Sequence, residues 1–139
     1  MWLRITFALA WAALIWWASS RPPGPKQPDD PIYSHVWNLG HVVVFGVLAA
    51  LVMLSTQGCT VRSAVFSAAV SALYGVVDEV HQDGVKGRVM DVWDVCSDGL
   101  GACLAVSALL WFVGGRRGAG QLLLVLVPLA GISVHMASS

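Results

Sequence analysis

Asp78, His81 and Gln82 follow one another at steps of three or one residues, and Asp91, Asp94 and Asp98 at steps of three and four. On α-helices such spacing gathers side chains on one face, so each set forms a polar stripe, the second continuing to Gly101. Glu79, Lys86 and Arg88 share the stretch "DEVHQDGVKGR", residues 78–88. From Asp78 to Asp98 the acids Asp78, Glu79, Asp83, Asp91, Asp94 and Asp98 face only Lys86, Arg88 and a titratable His81. Protonation, a bound divalent cation or a cationic ligand would each relieve that excess. By ligand type, Glu79, His81, Asp94 and Asp98 could hold Mg, Mn, Ca or Zn, although no HExxH or EF-hand spacing is present. His41, Glu79, His81 and Asp94 are the candidates for acid–base catalysis. Arg88, the guanidinium of the acidic loop, has a planar fork that could hold two carboxylates or grip a phosphate. There is no Ser-His-Asp constellation and no glycine-rich nucleotide loop.

The elements that position these residues are apolar to a degree no ordinary soluble domain reaches, with 57% hydrophobic residues, 12% charged residues and a mean hydropathy of +0.71. The composition is that of a membrane protein. A net charge near zero and the lack of a basic surface exclude nucleic acid as a partner. Cys59, Cys96 and Cys103 form neither a CxxC site nor a disulfide framework. Against the roughly 20 residues that cross a bilayer, four stretches qualify: Trp2–Ala18, Val36–Leu54, Val61–Val77 and Val95–Val113. A fifth, Leu122–Ala137 within residues 121–137, is shorter and carries Pro128. The expected fold is an all-α integral membrane helical bundle of four to five transmembrane helices in a single domain, residues 1–139. The opening segment also resembles a signal peptide, but Trp16 and Trp17 suit a retained interfacial anchor. The linker "SSRPPGPKQPDDP" is too proline-rich to be helical and reads as an extended surface loop.

Consecutive spans alternate direction, so the two longer polar loops share one membrane face. His35, Asn38 and His41 at the start of the second span, Asp78 at the end of the third, Asp91 and Asp94 before the fourth and His135 at the end of the fifth all meet there. His41 should therefore approach Glu79 or Asp94, with Asn38 and Phe45 on its side of the helix. The residues assigned to a ligand pocket are His41, Asp78, Glu79, Gln82, Arg88, Asp91, Asp94 and Asp98. Asp98 lies about 6 Å deeper than Asp94 along a helix, and an intramembrane carboxylate calls for a function or a partner. Structural alternatives are Arg88 satisfying Asp94 or Glu79, and Asn38 and His41 bonding across helices. Ser67, Ser71 and Gly75 on the third span are expected to face Gly101, Ala105 and Ala108 on the fourth. Arg4, Arg62, Arg116 and Arg117 on one side balance Arg21, Lys26, Lys86 and Arg88 on the other. The tight Arg116–Arg117 pair on a short loop favours a cytoplasmic amino terminus and an extracytoplasmic polar site.

The run "DEVHQDGVKGRVMDVWDVCSDGLGA", residues 78–102, resembles the signature of the VanZ-like family, in which an acidic-Glu-x-x-Gln stretch leads through a Gly-Arg turn to Asp-x-x-x-Asn-x-x-Gly. "NLGHVVVFGVL", residues 38–48, resembles the family's His-x-x-x-Phe/Tyr-Gly motif, and "LIWWASSRP", residues 14–22, the end of its first helix. The resemblance covers residues 5–113 and carries the family's polar positions onto His41, Glu79, Gln82, Arg88, Asp94 and Gly101. Asp98 stands where the family usually has Asn, and Asn38 or Leu39 where it often has Lys. The resemblance implies a multi-pass protein of the bacterial cell membrane, in a family named for a member linked to teicoplanin resistance.

Three functions fit these residues. The first is an envelope factor whose polar pocket binds a lipid-linked wall precursor, a lipid headgroup or a glycopeptide. The second is a membrane enzyme, with or without a divalent metal, acting on a lipid phosphate or peptide. The third is a small ion or proton path, disfavoured by a third span that carries no central charge.

Overall fold

A computed structural model describes residues 2–22, 31–56 and 58–138. Among these residues, five helices follow in order: α1 (Trp2–Ser19), α2 (Pro31–Ser55), α3 (Val61–Asp83), α4 (Val92–Phe112) and α5 (Arg117–Ala137). All five contain a stretch long and apolar enough to cross a membrane. The fifth is a full-length candidate, since its helix of 21 residues begins well before Leu122 and runs through Pro128. The expected extended linker lies mostly outside the described residues.

Large apolar side chains such as Leu9, Val43, Val65, Leu73, Leu124 and Val127 are exposed on the outer faces, as a bundle solvated by lipid requires. Small residues and a few larger apolar ones fill the inside. Ala49 and Met53 of α2, Ala64 of α3, Ala102, Val106 and Leu110 of α4 and Ala119 of α5 form one buried cluster. A second joins Ile15 of α1 to Phe45 and Leu48 of α2. Helix α4 is central and touches α2, α3 and α5, whereas α1 lies mainly along α2. Polar pins hold α1 in place. Trp11 Nε1 donates to the Val44 carbonyl at 3.0 Å, and Tyr74 Oη to the Ala12 carbonyl at 2.7 Å.

The small-residue stripes meet different partners from those expected. A methyl group on Gly101 would collide with the backbone of Val42 on α2, and one on Gly46 would lie 3.1 Å from the Gly101 carbonyl oxygen and 3.6 Å from Ala105 Cβ. Gly101 and Ala105 therefore bring α4 against α2. Helix α3 meets α4 elsewhere: a Cβ at Gly75 would lie 2.8 Å from Asp98 Oδ2. Because α4 is central, it carries small residues on more than one face, and spacing alone cannot say which face meets which helix.

Local signals set the helix ends near the polar stripes. Thr60 caps α3 reciprocally with Ser63, and the Asp91 side chain accepts the Trp93 N–H at 2.8 Å to start α4. Between them, Gly87 takes φ +86°, a conformation that side-chain-bearing residues avoid. Residues 20–22, which follow α1, and the loop at 84–91 then lie at one end of the bundle, joined where Arg88 Nε meets the Arg21 carbonyl. Single cysteines replacing Arg21 and Lys86 are expected to react with an impermeant thiol reagent from one side, and those replacing Arg62 and Arg117 from the other. Labelling of Arg21→Cys and Lys86→Cys from opposite sides would overturn this topology.

Candidate functional site

Helix α3 does not stop at Val77. It continues to Asp83 because its polar final turns find partners inside the protein. Asp78 is 2% exposed and Glu79 1%, and each is bonded rather than left to lipid. Ser19 Oγ donates to Asp78 Oδ1 at 2.6 Å, and Gln82 Nε2 to Asp78 Oδ2 at 2.8 Å. Arg88 Nη1 donates to Gln82 Oε1 at 2.5 Å, and Arg88 Nε to the Arg21 carbonyl at 3.1 Å. This chain of bonds ties the end of α1 to α3 and to the loop before α4. It also corrects the expectation for Arg88: the fork grips an amide and a main-chain carbonyl rather than two carboxylates.

Glu79 is held from the other side of the loop. Its Oε1 accepts the Asp91 main-chain N–H at 2.6 Å, so α3 fixes the residue that caps α4. Asp94 lies in the first turn of α4, and Asp98, one turn deeper, is buried. His41 reaches both from α2, with Nδ1 3.0 Å from Asp98 Oδ1 and Nε2 3.9 Å from Asp94 Oδ2. The imidazole thus approaches Asp94, as parity indicated, but its closest acid is Asp98. Glu79 Oε2 and Asp94 Oδ1 accept no hydrogen bond among the described residues.

His81 takes no part in this cluster. Its ring stacks on Trp16 with centroids 3.8 Å apart, and its Nε2 lies 3.4 Å from Ser20 Oγ. The proposed metal set of Glu79, His81, Asp94 and Asp98 is therefore not assembled, and among the described residues no group of three or more His, Cys, Asp or Glu is placed to hold a metal ion. Asn38 also turns away. It donates to Ser138 Oγ at 2.9 Å, close to where His35 and His135 meet at 3.3 Å and join α2 to α5.

Between the two bonded groups lies a cavity of about 260 Å³. Ile15, Ala18 and Ser19 of α1, and Trp37, Gly40, Val44 and Phe45 of α2, form its largely apolar wall. His41, Asp78, Gln82 and Arg88 supply its polar residues. The contribution of α1 was not foreseen from spacing, although the small residues Ala18 and Ser19 at its end were a signal that another chain segment approaches there. Among the described residues, the buried charged side chains Asp78, Glu79 and Asp98 all lie near this end of the bundle. The arrangement can hold an amphiphile: apolar walls for its hydrocarbon part, and a fixed histidine and arginine for its polar part.

The VanZ/LLP1 family model matches residues 4–113, which include every polar residue of this site. Comparisons with curated proteins and with solved structures returned no match.

Proposed function

This chain belongs to the VanZ/LLP1 family, and we propose that it is a cell-envelope membrane protein whose pocket binds an amphiphilic ligand. The candidate ligands are a lipid-linked wall precursor, a lipid headgroup or a glycopeptide, the last in keeping with the family's link to teicoplanin resistance. The observation that carries this reading is the convergence of His41, Asp78, Gln82 and Arg88 on a cavity otherwise walled by apolar residues. A fully polar ligand would leave Ile15, Val44 and Phe45 unused, and a pure hydrocarbon would leave His41 Nε2, which makes no direct hydrogen bond among the described residues, without a partner. The tight Arg116–Arg117 pair on a short loop supports an extracytoplasmic pocket.

Gly40 gives a direct test. It lines the cavity, and a Cβ built there meets no atom within 4 Å. Gly40→Leu is therefore expected to fill the pocket without displacing a helix, and the glycine-to-leucine change itself favours helix. In native mass spectrometry of protein released from bacterial membranes, wild type should retain a lipid-mass adduct. Gly40→Leu should lower its occupancy about tenfold at an unchanged melting temperature. Equal occupancy in the two proteins would mean that the adduct sits elsewhere.

A further inference from the structure

The polar groups lining the cavity are not equivalent. Both oxygens of Asp78 are engaged by Ser19 and Gln82, and the Gln82 oxygen is engaged by Arg88. His41 differs. One ring nitrogen, Nδ1, is fixed at 3.0 Å by Asp98, itself 1% exposed. The other, Nε2, is 3.9 Å from Asp94 Oδ2, too far for a direct hydrogen bond and close enough for one water to touch both. The second oxygen of Asp94 accepts no bond among the described residues. In the tautomer that donates Nδ1–H to the Asp98 carboxylate, the lone pair of the neutral ring is on Nε2. That tautomer is a base, and the residue lines a cavity shaped for an amphiphile.

We propose that His41 is the general base of a hydrolytic centre that cleaves a carboxylic ester in the amphiphile bound by this pocket, an inference that rests on the pocket reading above. The surroundings select the ester over a phosphoester. A phosphoryl group would bring its own negative oxygens among Asp78, Asp94, Asp98 and Glu79, whereas an ester carbonyl carbon is uncharged.

The step balances without a co-reactant other than water. His41 Nε2 removes a proton from water as the water oxygen bonds to the carbonyl carbon, and the carbonyl π electrons move onto oxygen. Arg88, which lines the same cavity, supplies positive charge for that oxyanion. When the tetrahedral centre collapses, the carbon–oxygen single bond to the alcohol breaks, and the departing oxygen takes the proton from Nε2. A carboxylic acid and an alcohol result. Asp98 acts through His41 and is a positioning residue.

The test uses full-length protein in nanodiscs of bacterial polar-lipid extract made up in ¹⁸O-water, with free fatty acid analysed by mass spectrometry and bound lipid measured on the same sample. Wild type is expected to release fatty acid carrying one ¹⁸O atom. His41→Gln should lower that rate about 100-fold or more while lipid remains bound, and imidazole should restore part of the rate to His41→Ala. Asp98→Asn should lower kcat with KM unchanged and alter the pH profile of kcat, a signature that a packing role would not give. Bound lipid without labelled fatty acid from wild type overturns the hydrolytic inference alone. Neither bound lipid nor product overturns it together with the pocket reading. An undiminished rate in His41→Gln removes His41 from the chemistry.

Discussion

Gly101→Ala is expected to destabilise this protein by about 3 kcal/mol, near the upper end of the usual cost of overpacking a close contact. The added methyl would meet the carbonyl oxygen, carbonyl carbon and Cα of Val42, all main-chain atoms of α2. No side-chain rotation relieves that overlap, so α2 and α4 must separate. That separation would disturb more than stability, because His41 lies next to Val42 and reaches Asp98 across the same helix pair. Gly40→Ala is the control. It adds the same methyl group to α2 where nothing lies within 4 Å, and alanine is a better helix former than glycine by up to about 1 kcal/mol. Melting of the purified variants in one detergent checks the pair: Gly40→Ala should match or exceed wild type, and Gly101→Ala should fall well below it. Similar melting of the two variants would show that α2 and α4 do not approach as closely as described.

Four of the five helices were legible in the sequence because a bilayer imposes a minimum apolar length; the fifth showed only as a shorter stretch carrying Pro128, because its first turns from Arg117 to Gln121 are not apolar. Their polar ends were less legible. The sequence from Asp78 to Asp83 is too acidic to register as part of a span. It is helical because Ser19, Gln82 and the Asp91 main chain bond the buried carboxylates, and two of those three donors lie far away in sequence. Alternation of spans was enough to bring His41 to the acids, but it pointed to Glu79 or Asp94, and the nearest acid is Asp98. That choice depends on where α2 and α4 come closest, and Gly46 and Gly101 determine it through the space their missing side chains leave. Residue types pointed Arg88 toward carboxylates; its bonds go to Gln82 and the Arg21 carbonyl, partners that spacing does not single out. His81 shows the limit of helical periodicity. It shares a sequence stripe with Asp78 and Gln82, yet an aromatic ring on α1 takes it out of the cluster.

Removing the Asp78 carboxylate is expected to loosen α1 from the bundle, at a cost of about 3 kcal/mol when two hydrogen bonds to a charged acceptor are lost. Asp78→Ala would leave the Gln82 amide without its acceptor and break the bond that fastens the last turn of α1 to α3. Asp78→Asn should cost far less, within about 1 kcal/mol, because its amide can replace both bonds. Its oxygen can accept from Gln82 Nε2 while its nitrogen donates to Ser19 Oγ. The Ser19 proton then turns to the Trp16 carbonyl, already 3.0 Å away. The effect should also be local. Ala8 of α1 and Ala102 of α4 are both buried, so cysteines at these positions, with Cys59, Cys96 and Cys103 replaced by alanine, report separately on α1 and on the bundle core. Asp78→Ala should speed thiol labelling at position 8 at least fivefold and leave position 102 protected, whereas Asp78→Asn should change neither. If both positions open together in Asp78→Ala, the carboxylate supports the whole bundle rather than the docking of α1. If neither opens, the contacts of Trp11 and Tyr74 with Val44 and Ala12 hold α1 without it.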